Sequence, residues 1–254
     1  MLADALIIIA CIVGALVFLF IVSRTYAAHA RKESNDFTGA VVAVIGTTYA
    51  VILAFMLSGV WNMLQQAQTN EEQEANALLN VARIANQLQV PGAKEALAAC
   101  LKYADNAMQK EWPAMLAEKP LPPDNDDLIN QLWKFAGEVQ AHSGNDNIAA
   151  YQMMEELRLL TEYRRIRVMQ SQEELPGILW AVLIVGGIIT VAAACFFGVP
   201  SFRFHVLQVA VLSFLLSLVL IAIADIDRPY QGAVTVKAEG FSFSRETIGA
   251  QQMH

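Results

Sequence analysis

Four stretches of this chain carry no charged side chain: Ala5 to Ser23, Thr38 to Trp61, Gly177 to Gly198 and His205 to Ala224. Each is about as long as the ~20 residues a helix needs to cross the hydrocarbon of a bilayer. The pattern predicts four spans in two pairs, the second pair joined by the short turn "VPSFRF", Val199 to Phe204. Beyond Trp61 the pattern changes from uniformly apolar to mixed, yet no glycine or proline intervenes between Gly59 and Pro91. That interval is rich in Ala, Leu, Gln and Glu, all good helix formers, so the second span is expected to run on as one helix for about 30 residues past the membrane, or roughly 45 Å. A second breaker-free interval lies between Gly144 and Pro176 and predicts a matching antiparallel stalk. Between the stalks, Gly92 to Trp112 and Asp126 to His142 read as shorter helices separated by the turn-rich "KPLPPDND". The expected fold is all-α: an integral membrane protein with a helical bundle inserted between its second and third spans. Its segments are 1–61 (first pair), 62–176 (bundle), 177–224 (second pair) and 225–254 (tail). In the tail, the alternation in "AVTVKAEGF" suggests an extended segment lying against the bundle.

The stalks make a statement about charge. Taking Asn62 and Pro176 as the two membrane exits sets the antiparallel register and places Glu71 beside Arg167 and Glu74 beside Arg164. These arginines read either as stalk salt bridges, supplemented by local Glu162–Arg165 and Glu155–Arg158 pairs, or as a ring attracting anions to a pore mouth. The second span itself has two faces. Gly39, Ala43, Gly46, Ala50, Ala54 and Ser58 form a stripe of small residues suited to close helix packing in lipid. Ile45, Tyr49, Ile52, Met56 and Gly59 form a second stripe, which either touches lipid or another helix or lines a dewetting constriction between several subunits.

Composition supports the membrane reading and removes other functions. Hydrophobic residues make up 56% of the chain and charged ones 16%, below the ~25% of ordinary soluble domains. A net charge of -7 argues against a nucleic-acid partner. Cys11, Cys100 and Cys195 offer neither a disulfide framework nor a metal cluster and read as packing residues. His29, His142, His205 and His254 are scattered and read as loop or interface residues. Asp4, Arg24 and Asp225 sit only at span ends, which weighs against a proton-coupled carrier or voltage sensor. No nucleotide loop, zinc motif or nucleophile elbow is present, so neither an enzyme nor a cofactor or metal is expected. Glu111, Trp112 and Pro113, "EWP", read as a helix stop with the indole packed into the bundle. A cleaved signal peptide ending at "AHA", Ala28 to Ala30, is disfavoured because "MLADA" lacks positive charge. The side of the bundle stays open. Arg24, Arg31, Lys32 and Arg203 argue for an outside N-terminus, whereas Arg158, Arg164, Arg165, Arg167 and the tail's Arg228, Lys237 and Arg245 argue the reverse.

Several short motifs occur in a recognisable order: "YAVILAFMLSGVW" (Tyr49 to Trp61), "EEQEANAL", "EWP", "YRRIR" followed by "ELPGILW", and "DIDRPYQG" after the last span. Together they resemble the bacterial membrane family known as domain of unknown function 4239, also labelled bestrophin-like. More distantly the chain is similar to the bestrophin anion channels, oligomers whose second span lines a hydrophobic neck and continues into a helical cytosolic domain. The resemblance implies that Ile52 and Met56 lie near a neck, that Pro229, Tyr230 and Gly232 form a structural turn, and that the bundle is cytosolic. One departure stands out: the basic and aromatic residues at the second-span exit of those channels are replaced by "NMLQQAQ". The leading expectation is an oligomeric ion channel, anion-conducting by the resemblance, in the bacterial cytoplasmic membrane. Its partners would be the lipid bilayer, further copies of itself and small inorganic ions. The alternative is a non-conducting scaffold or sensor whose bundle binds a protein partner.

Overall fold

The longest element is a single helix of 53 residues, α3 (Asn35–Gln87), which starts three residues ahead of the second apolar run and ends four residues before Pro91. The computed structural model describes residues 2–26, 28–88, 90–142 and 147–252, with the side chains of 28–30, 141–142 and 251–252 left out. His29, His142 and His254 therefore lie outside the described side chains. The other helices are α1 (Leu2–Thr25), α2 (Ala28–Glu33), α4 (Ala93–Asn106), α5 (Trp112–Leu116), α6 (Asp124–His142), α7 (Asn147–Gln170), α8 (Gly177–Cys195), α9 (Phe202–Ile226) and α10 (Glu239–Gln252). A π-helical turn, Ala107–Glu111, joins α4 to α5. No strand occurs among the described residues. Helices α1, α3, α8 and α9 are each long and apolar enough to span a bilayer, so the chain is a multi-pass integral membrane protein.

The chain divides into two compact units. The first, Met1–Trp61 with Glu174–Asp227, holds the spans. Here α1 packs on α8 and α9 through Ala15, Leu19, Val22, Cys195 and Val209. Asn35 clamps the opposite loop from both sides: its amide donates to Gly198 O and its carbonyl accepts from Gly198 N, each at 2.9 Å. Gly198 lies so close to the Lys32 backbone that no Cβ fits there. Between α3 and α8 the close approach is made by an aromatic ring on glycines. Tyr49 Oη donates to Leu183 O at 2.6 Å, and its ring lies where a Cβ on Gly186 would stand, 2.6 Å away. At the other end of α8, Asp227 accepts from Leu175 N (2.7 Å) and Trp180 Nε1 (3.2 Å).

The second unit, Asn62–Glu173 with Arg228–His254, is a helical bundle. Its core includes Leu78, Tyr103, Leu132, Met153, Leu157, Leu160, Phe241 and Ile248, drawn from α3, α4, α6, α7 and α10. Three expectations are corrected in this unit. The tail is non-helical only to Ala238 and then forms α10, because Phe241, Ser244 and Ile248 recur at helical spacing as its buried face. "EWP" does not stop its helix. Pro113 falls in the first turn of α5, where a missing N–H breaks no bond, and the chain continues to Leu116. The stalk register is displaced by about one turn. Helix α7 ends at Gln170, and residues 171–176 are non-helical, so Pro176 does not mark the stalk's end. Asn70 consequently meets Gln170 at 3.0 Å, Arg167 meets Glu74, and neither Glu71 nor Arg164 takes its expected partner.

Candidate functional site

In the membrane unit, the two stripes of α3 are placed differently from each other. Tyr49 is 4% exposed, held by α8, and Ile45, Ile52 and Met56 are half-buried, leaving only Gly59 of that stripe exposed. Of the small-residue stripe, Gly39 and Gly46 are half-buried, whereas Ala43, Ala50, Ala54 and Ser58 are exposed in the chain. The face that the chain's own helices leave uncovered runs through Val44 (67% exposed), Thr48, Val51 (49%) and Phe55 (73%) to Ser58. Those positions follow the three- and four-residue spacing of one helix face. The sequence pattern missed it because both sides of this span are apolar. The burial of Tyr49, Leu53 and Val60 orients the helix. Elsewhere in the unit, an apolar groove of ≈ 670 Å³ lies between α1, α8 and α9, lined by Cys11, Phe18, Ile188, Ser213 and Leu216 among others.

The bundle unit contains a buried ionic cluster. The Arg167 side chain is fully buried and extends along Glu74, with Nε to Oε2 at 2.6 Å and Nη2 to Oε1 at 2.9 Å. Its Nη2 also donates to Glu111 Oε2 at 2.6 Å, and its guanidinium stacks 4.8 Å from the Trp112 ring centroid. Arg164 bridges the other oxygen of Glu111, at 2.8 Å, to Asp126. Tyr103 Oη donates to Glu74 at 2.7 Å. The π turn makes this possible, since its wider pitch rotates Glu111 and Trp112 toward α7. Burial alone would raise the Glu111 carboxyl, but the positive charges of Arg167 and Arg164 outweigh it and hold Glu111 below the usual range. Both guanidiniums are thus neutralised by carboxylates, which leaves neither as a free charge facing a mobile anion. Glu155 and Glu162 both pair with Arg158 on the surface of α7. Within the buried cluster, Glu74, Arg164 and Arg167 are legible in the sequence as charge-pair candidates, whereas no local signal marks Glu111; on the surface, Glu162 pairs with Arg158 rather than Arg165.

Glu71 stands apart from that cluster. It is 1% exposed, accepts from Phe241 N at 3.1 Å, and pairs with no arginine among the described residues. Burial pushes its carboxyl up to about 7, Glu74 and Glu72 add to the rise, and the Phe241 N–H opposes it. In the turn after α9, Pro229 O accepts from Val236 N at 2.8 Å, Tyr230 is buried, and Gly232 has φ 90°, a left-handed backbone that suits glycine. Among the described residues no group of three or more His, Cys, Asp or Glu could hold a metal ion.

The comparisons with known proteins agree with this architecture. The sequence model of the family described as Bestrophin-like domain matches residues 9–241. Among solved structures, a crystal structure of a mutant of a bacterial bestrophin homolog from Klebsiella pneumoniae superposes with TM-score 0.75 at 10% identity, covering 97% of this chain and 99% of that one. Another crystal structure of the Klebsiella homolog gives 0.69 at 11% identity with 97% of each chain covered. A crystal structure described only as a membrane protein variant gives 0.70 at 11% identity, again with 97% of each covered. No match is found among curated protein sequences.

Proposed function

The chain belongs to the bestrophin-like family, and from that premise we propose that it is an oligomeric ion channel in which several copies place α3 around a shared path. The observation that carries the proposal is the uncovered apolar face of α3, Val44, Thr48, Val51, Phe55 and Ser58, on a span whose opposite side is pinned to α8 by Tyr49. An apolar ring of this kind admits water and ions only when it is wide enough to stay wet, which makes it a constriction and a gate together. The pore-facing residues in this reading are Val51 and Phe55, with Ile45, Ile52, Met56 and Gly59 flanking them and Tyr49 withdrawn into the subunit. The exposed small residues Ala43, Ala50 and Ala54 then serve contact between neighbouring copies, where small side chains let helices approach. The exit of α3 offers amides and no basic side chain in "NMLQQAQ", so we propose weak selection between anions and cations. The channel reading assigns no catalytic step to the chain.

The test has two stages. First, the subunit mass in nanodiscs should correspond to a ring of four or more copies; a monomer or dimer would rule out a central path of this kind. Second, protein reconstituted in liposomes should pass small ions, with the reversal potential in asymmetric salt reporting its selectivity.

A scaffold or sensor role has its own supporting observation, since Ile148, Tyr151, Met169 and Phe243 of the bundle unit are large apolar side chains left exposed. If full-length protein forms no ring and passes no ions, this reading takes precedence, and alanine replacement of these four residues should then abolish binding of its protein partner.

A further inference from the structure

Helix α10 packs on α4, buries Ile248 in the bundle core, and meets the stalk α3 through contacts at its first two turns. Phe241 N donates to Glu71, Ser244 Oγ donates to Ala75 O at 2.9 Å, and the Phe241 ring is fully buried 5.7 Å from the Trp112 ring. Gly240 is so close to α3 that a Cβ there would meet Ala75 Cβ and Glu71 Oε2 at 3.0 Å. The helix is reached through the non-helical stretch 227–238, which gives it a path to swing away without unfolding another helix. At its outer side Arg245 pairs with Asp105.

At the centre of this interface lies the buried carboxyl group of Glu71, which among the described residues pairs with no cation. The charged and titratable groups around it are Glu72 and Glu74 on α3, Arg167 on α7 (engaged by Glu74 and Glu111), Tyr103 on α4 (donating to Glu74), Tyr230 in the post-span turn, and Glu239 on α10 (paired with Lys237). The nearest of them are acidic. We propose that α10 is a proton-operated latch: one proton taken up by Glu71 fastens the helix to the stalk, and its loss loosens the helix from Phe241 onward.

The chemistry balances as a simple acid dissociation. Protonated Glu71 keeps a carbonyl oxygen for the Phe241 N–H and removes a buried negative charge beside Glu74; ionised Glu71 keeps the hydrogen bond but restores that charge in a dry site. Released into water with α10 swung away, the same carboxyl returns toward its ordinary 4.5, against about 7 when docked. The docked state binds the proton more tightly, so docking is strongest in mild acid and weakens as pH rises through the interval from 4.5 to 7. This inference does not depend on ion conduction, and it is read without measuring any.

The test is amide hydrogen exchange of the full-length protein in nanodiscs, corrected for the intrinsic pH dependence of exchange and referenced to α6. Protection of the amides from Phe241 to Gly249 should fall on the order of 100-fold between pH 5 and pH 8. The neutral isostere Glu71→Gln should hold that protection at its low-pH level throughout. Gly240→Ala, which crowds the carboxyl, should lower protection at every pH. Wild-type protection that is flat with pH overturns the latch even if neither variant can be purified, as does a Glu71→Gln protein that keeps the wild-type slope, or a Gly240→Ala protein as protected as wild type.

Discussion

Arg167 and Glu74 meet in a two-point ion pair from which solvent is excluded on both sides, across a separation of 93 residues. Such a pair is not a large source of net stability, because desolvating two charges offsets most of their attraction. What it does is penalise disruption. Arg167→Met leaves Glu74 buried without its arginine and Glu111 with Arg164 alone, and Glu74→Gln leaves Arg167 half-neutralised, so each should cost about 3–5 kcal/mol of bundle stability. The Glu74→Gln/Arg167→Met double variant should lose less than the sum of the two single changes, as measured by denaturant unfolding. Additive losses would mean that the pair is not coupled.

The cluster also sets a response to acid. Glu111 is held below its ordinary 4.5 when folded, so its contribution is complete above that value and is lost as pH falls below it. Thermal unfolding of the bundle should become sharply easier only below about pH 4.5, and Glu111→Gln should flatten that limb of the pH profile while lowering stability at neutral pH. Glu71 acts with the opposite sign between 4.5 and 7. The bundle is therefore expected to be most stable in mild acid rather than at pH 8.

Tyr49 and Gly186 separate a hydrogen bond from a packing requirement. Tyr49→Phe removes the donation to Leu183 O and should cost about 1 kcal/mol. Gly186→Ala puts a methyl group into the Tyr49 ring, which α8 and α3 cannot both accommodate without moving apart. Its thermal midpoint in detergent should fall by more than that of Tyr49→Phe.

Flux measurements distinguish the two faces of α3. Phe55→Ala and Val51→Ala should each raise ion flux severalfold by widening the constriction. Ile52→Ala and Met56→Ala, half-buried against the same chain, should change flux less. The reverse order would return the pore face to the Ile45–Met56 side.

Length and periodicity made much of this architecture readable. The four spans, the unbroken α3 and the all-α class follow from charge-free runs and from the distribution of glycine and proline, which are local properties. The partners of Arg164 and Arg167 were not local. Their register depended on six non-helical residues before α8, which no periodicity marks, and on Glu111, which reaches them only through a π turn. Likewise the orientation of α3 shows in which of its residues are buried, Tyr49, Leu53 and Val60, and in Tyr49 meeting Gly186 and Gly187 of α8, a tertiary match between segments more than 130 residues apart.

The π turn at Ala107–Glu111 can also be counted in codons. A wide turn inside a helix holds one residue more than its neighbours, as a single inserted triplet would leave it. Tightening this turn to the ordinary pitch without removing a residue would swing everything downstream by about 100° around the axis. Trp112 would leave the guanidinium of Arg167, and the carboxylate shared by both arginines would turn outward. What Glu111 and Trp112 require of the join between α4 and α5 is thus the phase that the wide turn sets, which many side chains at Gln109 leave unchanged.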